Sequence, residues 1–369
     1  MNTVPEIILK GNSYQRGLQH GSMLRSHINN FLNDNKARIN SIRHAPLEDS
    51  LIKDQVQRHV AVIEEQLPEI ARELKGLAEG AGITYEDAAL LQIRMELIGF
   101  NEQDILEGDC STIGFQKSSK EIVTGQTIDL PGNMTDLGCV FRIIPENESS
   151  PGILMYGFAG LLGYLGMNTH GLSININMVM SDGWQPGVSP YLLVRHLLGL
   201  SSVEECISEL KRIKISSSRS FLIGDGKKLI NVEFTPTEFR ILEAPLLFHT
   251  NHFLHDELKE KDTIHFLFKN SSIKRLKLLQ QLLPEELENL DAKMLFEIFA
   301  DHSLYPVGIC AHAEGNIRRS ETVGAVVMES AKGKFHVRKG HVCTGLTETF
   351  ELAGFVNAVM DGVSSPVIK

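Results

Sequence analysis

The chain changes texture once, near residue 110, and that change limits its possible folds more than any other feature. Before it, apolar residues recur at helical spacing; after it, they fall in short β-rich runs separated by turn residues. Ser13 to Arg43 carry one helical stripe. Asp54 to Glu79 carry a second through Val56, Val60, Ile63, Leu67, Ile70 and Leu74, with Pro68 placed to kink or divide it. Gly80-Ala81-Gly82 ends this stripe, and Thr84 is the predicted N-cap of a helix running into Ala88 to Ile98. Strands are predicted at Ser111 to Phe115, Ile122 to Asp129, Val140 to Ile144, Ile153 to Phe158, Leu172 to Met178, Phe221 to Ile223, Ile230 to Phe234, Phe239 to Leu242, Thr322 to Glu329 and Lys334 to Arg338. Asp225-Gly226 reads as a hairpin turn and Asn168 to Gly171 as another turn. Helices are predicted between strands at Pro190 to Leu198, Val203 to Ile213, Ile273 to Leu283 and Ala292 to Ala300. Helical blocks around mainly antiparallel strands indicate an α+β fold, with two sheets packed face to face and helices outside.

With 369 residues, 42% of them hydrophobic, the chain can bury a large core, and no linker or low-complexity run divides it, so residues 1–369 are expected to form one domain. A net charge of -10 without a lysine and arginine stripe argues against a nucleic-acid partner. The N-terminus has no secretory pattern and no apolar run has membrane-spanning length, so a soluble, cytoplasmic protein without a membrane partner is expected. The five cysteines are widely spaced and lack a CxxC pair, which predicts neither a disulfide framework nor a zinc site. No metal or other cofactor is expected.

Cys110 stands at the change of texture, in Gly108-Asp109-Cys110-Ser111-Thr112. If the Asp109-Cys110 bond breaks, Cys110 becomes N-terminal, and its α-amine can act as base for its own thiol. Asp129 lies on the next predicted strand, where it can return to the sheet edge and orient that amine. Asn251, within His249-Thr250-Asn251-His252-Phe253, offers a neutral amide donor for an oxyanion. An α-amine base needs no imidazole, so His249, His252 and His312 are read as structural. Met167, Met178 and Met180 are read as core or pocket wall, and Arg16, Arg94 and Glu96 as forming structural ion pairs.

On these and further segments the chain resembles the acyl-coenzyme A:6-aminopenicillanate acyltransferase family, peptidase family C45, among the N-terminal-nucleophile (Ntn) hydrolases. The segments are Gly11 to Gly21, Glu79 to Gly82, Arg94 to Leu97, Gly125-Gln126 with Asp129, Gly166-Met167-Asn168 with Gly171-Leu172, Arg195 with Val203 to Glu205, and Thr250 to Phe253, in order along the chain. The resemblance implies a four-layer αββα fold and cleavage before Cys110 into a helical α chain (1–109) and a β chain (110–369) that remain together as a heterodimer. It implies Cys110 as nucleophile, Asp129 as its orienting partner and Asn251 as oxyanion donor. By likeness to bile-salt and penicillin V hydrolases, Asn177 would be a second donor, through its backbone N–H. The expected function is a self-processing amidohydrolase that cleaves a linear small-molecule amide through an acyl-Cys110 thioester. The alternatives are transfer of an acyl group from an acyl thioester such as acyl-CoA to an amine, and an inactive homologue that does not mature. Three departures from the family stand out: Asp109 where glycine is usual, Thr127-Ile128-Asp129-Leu130 in place of Asn-Trp-Asp-Trp, and Ala311 where an arginine is expected, with Arg318 and Arg319 nearby as substitutes.

Overall fold

Two β-sheets lie face to face between layers of helix in the computed structural model of the chain, which describes residues 3–42, 48–99, 110–118, 121–147, 149–284, 286–306, 308–316 and 319–353. The N-terminal part contributes β1 (Glu6–Leu9), α1 (Ser13–Met23), α2 (Arg25–Ile42), α3 (Asp49–Gln66), α4 (Pro68–Ala81) and α5 (Tyr85–Gly99). Next come β2 (Ser111–Ser118), β3 (Glu121–Pro131), α6 (Met134–Leu137), β4 (Gly138–Ile143), β5 (Ile153–Phe158), β6 (Leu165–Asn168), β7 (Ser173–Met178), α7 (Pro190–Leu197) and α8 (Val203–Arg212). The chain continues through β8 (Arg219–Gly224), β9 (Leu229–Phe234), β10 (Phe239–Glu243), β11 (Leu246–His249), α9 (Asp256–Lys259), α10 (Phe266–Leu282), α11 (Ala292–Phe299), β12 (Ser320–Glu329), β13 (Lys334–Lys339) and β14 (Thr347–Glu351).

One sheet has eight strands in the order β1-β4-β5-β6-β7-β8-β9-β10, and the other six, β11-β2-β3-β12-β13-β14. All pairings are antiparallel except that of β1 with β4. The α+β layering read from the sequence is therefore present. Pro68 does divide the second stripe, entering α4 at its first turn where the missing N–H costs nothing. The first stripe, read as continuous, is interrupted at Leu24 between α1 and α2. Thr84 caps α5 by accepting the Asp87 N–H at 3.0 Å. Three short strands lie outside those predicted: β1 is only four residues long, β6 falls at the start of the Asn168 turn, and β14 has an exposed, polar edge, while β11 is the apolar strand that leads into the Asn251 loop.

Strand alternation determines what each sheet face holds. On β7, β8 and β9, Ile174, Ile176, Phe221, Ile223, Ile230 and Val232 pack in the large core shared with the N-terminal helices. The opposite parity places Asn177 beside Ser220 and Ser220 beside Glu233, all buried, so the space between the sheets is polar at this end. Gln126 of β3 crosses that space. Pairing of β6 with β7 extends only to Gly166 opposite Ile174, and the Gln126 carboxamide donates to the Ile176 carbonyl at 2.5 Å and accepts its N–H at 2.9 Å. The side chain thus supplies bonds that a strand would otherwise make. On the other side of the six-stranded sheet, Ile113, Phe115, Val123, Ala325 and Val327 pack against α10 and α11.

Helices α1 and α4 meet through glycine. A Cβ at Gly76 would lie 2.0 Å from the Tyr14 carbonyl oxygen, and one at Gly17 would lie 1.9 Å from that of Glu73. Neither backbone can yield without separating the helices, so Gly76→Ala is expected to cost about 3 kcal/mol or more, read as a lowered urea midpoint.

Candidate active site

Cys110, 5% exposed, immediately precedes β2 at the end of the six-stranded sheet that faces the polar side of β7. Its carbonyl oxygen accepts from Arg275 Nη1 at 2.9 Å and from Asn177 Nδ2 at 3.2 Å. Arg275 also donates through Nη1 to the Ser111 hydroxyl and through Nη2 to Asn251 Oδ1, both at 2.9 Å. One buried guanidinium thus ties the nucleophile candidate to an oxyanion-donor candidate. The planar fork suits that task because its donors point along fixed directions.

Asn251 Nδ2 donates to the Met178 carbonyl at 3.0 Å, leaving its second hydrogen available. Asn177 enters through its side chain, where the expectation was the backbone N–H: Nδ2 meets the Cys110 carbonyl and Oδ1 accepts from Thr112 Oγ1 at 2.5 Å. Backbone pairing of β7 with β8 places Asn177 opposite Ser220, which leaves the carboxamide to reach the site. Asp129 is fully buried, and its Oδ1 accepts from Thr322 Oγ1 at 2.6 Å. As expected, β3 returns it to the end of the sheet near Cys110, since Ser111 pairs with Thr127, although β3 itself is an interior strand between β2 and β12. Asp109 lies outside the described residues.

Cys110 and Asp129 share a cavity of about 30 Å³ with Met95, Tyr164, Met178 and Arg219 among its walls. That volume suits a water molecule better than an acyl chain. Burial first, and the neighbouring Cys110 second, hold the Tyr164 phenol well above its ordinary pKa, so it remains a neutral donor. Arg219 donates to the Ser218 carbonyl at 2.6 Å and lies 5.6 Å from the Trp184 ring centroid. Met178 is pocket wall, whereas Met167 is core.

Arg275 and Arg219 escaped the sequence reading. Arg319 is exposed, Arg318 lies outside the described residues, and the arginine that bonds the Cys110 carbonyl belongs to α10. A signal existed, since Ser272, Arg275, Leu278 and Leu279 form the buried face of α10 and a charged residue on an apolar stripe calls for a buried partner. Arg94 and Glu96 do not pair as expected. Arg94 sits over the rings of Phe31 and Tyr191, and Glu96 Oε1 accepts from the Ser216 and Ser217 hydroxyls.

The loop bearing Asn251 is fastened on both sides. His249 bridges Glu233 Oε1 at 2.8 Å and the Thr250 carbonyl at 2.7 Å, while Glu233 also accepts the N–H groups of Leu254 and His255. Burial alone would raise the Glu233 carboxyl, but His249 and those N–H groups outweigh it and hold it below its ordinary value. On the other side, Ser272 Oγ accepts the Asn251 N–H at 2.7 Å and contacts His252 Nδ1 at 2.7 Å. These contacts give His249 and His252 structural roles.

Burial pushes His252 down to about 4, with His249 adding to the shift, and pushes His20 down to about 3. His20 accepts the Gly160 N–H at 3.0 Å, which requires a neutral ring. For both, the folded pKa lies below the unfolded value of 6.5, so their stabilisation is complete above 6.5. As pH falls below that, the unfolded chain binds protons the fold excludes, and stability drops by up to about 1.4 kcal/mol per pH unit per imidazole. Urea midpoints should therefore fall between about pH 6.5 and 4. His20→Gln, which retains an acceptor, should flatten that slope.

Comparison with known proteins adds a family. Residues 116–341 match the family described as acyl-coenzyme A:6-aminopenicillanic acid acyl-transferase. The beta-alanyl-dopamine/carcinine hydrolase of Drosophila melanogaster is 26% identical over 302 residues, covering 74% of this chain and 77% of that protein. The acyl-coenzyme A:6-aminopenicillanic-acid-acyltransferase 40 kDa form of Emericella nidulans is 25% identical over 293 residues, covering 76% and 77%. Among solved structures, penicillin V acylase from Agrobacterium tumefaciens aligns over 66% of this chain and 86% of its own, with a TM-score of 0.46 and 14% identity. The R18L variant of conjugated bile acid hydrolase from Clostridium perfringens aligns over 66% and 97%, with a TM-score of 0.44 and 15% identity. No helix among the described residues is long and apolar enough to cross a membrane.

Proposed function

The chain belongs to the acyl-coenzyme A:6-aminopenicillanic acid acyl-transferase family, whose members named above are hydrolases and acyltransferases acting on amides, and from that premise we propose that it is a self-processing cysteine amidohydrolase. The observation that carries the reading is the Arg275 bridge, which joins the Cys110 carbonyl to the Asn251 carboxamide beside the cavity shared by Cys110 and Asp129. In processing, the Cys110 thiol attacks the carbonyl of residue 109, the C–N bond breaks, and water hydrolyses the resulting thioester. This frees the α-amine and divides the chain into 1–109 and 110–369. Pairing of β1 with β4 then holds the N-terminal fragment in the eight-stranded sheet.

In turnover, the α-amine takes the thiol proton and the sulfur attacks a linear amide carbonyl. In this reading Asn251 and Asn177 donate to the oxyanion, a role supported by the Arg275 bond to Asn251 Oδ1 and by the reach of Asn177 Nδ2 to Cys110. The α-ammonium then protonates the departing amine, and water enters as base-assisted nucleophile to release the acid. Asp129 orients the amine, with Thr322 fixing its carboxylate.

Transfer from an acyl-CoA draws less support, because among the described residues the cavity wall offers one guanidinium, Arg219, rather than a cluster of cations. The test is a panel of β-alanyl amines, N-acyl amino acids and β-lactam precursors supplied to the matured protein, with and without a competing amine. Release of free amine and acid supports hydrolysis. Predominant formation of a new amide supports acyl transfer, and inertness across the panel defeats both.

A further inference from the structure

No zinc site is expected from the cysteine spacing, yet the fold brings together two imidazoles and two thiols from two separate segments. His302 and His312 face each other through Nε2 atoms 3.0 Å apart. His312 Nε2 is also 3.7 Å from Cys310 Sγ and 3.5 Å from Cys343 Sγ, and all four donor atoms lie within 4.8 Å of one another. Around a tetrahedral zinc ion the nitrogen–nitrogen, nitrogen–sulfur and sulfur–sulfur edges are about 3.3, 3.6 and 3.8 Å, as follows from ordinary zinc bond lengths. The two nitrogen–sulfur separations from His312 match those edges, the nitrogen pair is within a few tenths of an ångström, and the remaining pairs lie within 4.8 Å. Hydrogen bonding accounts poorly for this grouping, because a single His312 nitrogen faces a second imidazole nitrogen and two thiols at once.

We propose that His302, Cys310, His312 and Cys343 form a closed, structural two-histidine, two-cysteine site for zinc or a similar thiophilic divalent cation. Thiolate and imidazole donors select such ions over magnesium or calcium, and four protein ligands leave no position for a substrate. Binding would convert both thiols to thiolates with release of two protons, giving a locally neutral centre. The site crosslinks two separate surface segments: the loop after α11, which carries His302, Cys310 and His312, and the turn after β13, which carries Cys343. It is also next to the candidate active site. The Ala311 N–H, between two of the ligands, donates to Thr322 Oγ1 at 2.8 Å, and Thr322 donates in turn to Asp129 Oδ1. An ion here would therefore hold the segment that sets the Asp129 carboxylate. The cysteine spacing concealed the site because its ligands come as isolated residues 31 and more positions apart between the loop and the turn.

The full-length protein, purified without chelators under reducing conditions, should carry about one zinc per chain by elemental mass spectrometry. After chelator treatment, cobalt(II) should restore occupancy and give the strong visible bands and near-ultraviolet thiolate charge transfer of tetrahedral coordination. Cys110→Ala should keep that spectrum, whereas Cys343→Ser and His302→Ala should weaken cobalt binding at least about tenfold. Cys343 is exposed and His302 only half-buried, so these substitutions should leave the core folded. The proposal is overturned if the reduced wild type takes up no cobalt. It is equally overturned if uptake is unchanged in both ligand variants.

Discussion

Purified Cys110→Ala is expected to remain a single chain under denaturing mass spectrometry, while the wild type separates into fragments 1–109 and 110–369. Under the proposed function, removing the sulfur removes both the attacking atom for processing and the nucleophile for turnover, and without processing no α-amine exists to act as base. Activity should fall by about 10⁴-fold or more, the scale seen when a covalent nucleophile is deleted. Cys110→Ser is the informative companion, since a hydroxyl can attack the preceding carbonyl but is the weaker nucleophile at the same position; slow or partial cleavage is expected. If the wild type itself stays uncut, the inactive-homologue reading takes precedence, and Asp109→Gly, which restores the residue usual in the family, becomes the direct test of what blocks maturation.

Arg275→Met should produce the second-largest loss. Its side chain is fully buried and donates at 2.9 Å to three acceptors, the Cys110 carbonyl, the Ser111 hydroxyl and Asn251 Oδ1, with the Ser271 hydroxyl a longer 3.4 Å from Nε. Methionine retains much of the volume but donates nothing, so the Cys110 carbonyl keeps its Asn177 donor while the other acceptors lose that of Arg275, at a cost of about 3–5 kcal/mol in total. The urea midpoint reads that loss. Among molecules still folded, kcat should drop by about 10²–10³-fold if Asn251 is the oxyanion donor proposed above, because its carboxamide loses the bond that orients it. Arg275→Lys separates the two roles: an ammonium can reach one acceptor but cannot span all three as a planar fork. It should recover more stability than activity. Equal recovery of both would assign Arg275 to structure alone.

Much of the architecture was legible before any coordinates. The change from helical to strand periodicity near residue 110, Pro68 at the start of α4 and Thr84 beneath α5 all rest on local rules, in which a ring without an N–H or a hydroxyl one turn away acts within a few residues. The strands that were missed lack such local signals. β1 is four residues long and pairs in parallel with β4, more than a hundred residues further on, so its existence depends on a partner that no window around it contains. The candidate site divides in the same way. Cys110, Asp129 and Asn251 stood out by residue type and motif, and the structure gathers Cys110 and Asp129 around one cavity, with Arg275 linking Asn251 to the Cys110 carbonyl.

The sequence by itself determined the α+β class, the place where helix gives way to strand, and the residue types suited to acyl chemistry, because helix periodicity, turn chemistry and side-chain reactivity are properties of short stretches of chain. Only the tertiary structure decided that Asn177 would reach Cys110 through its carboxamide, that an arginine from α10 would bridge Cys110 and Asn251, and that His302, Cys310, His312 and Cys343 would meet. Each of these depends on the register between sheets or on the face a helix turns inward, and those are set by burial of the whole apolar surface rather than by any neighbouring residue.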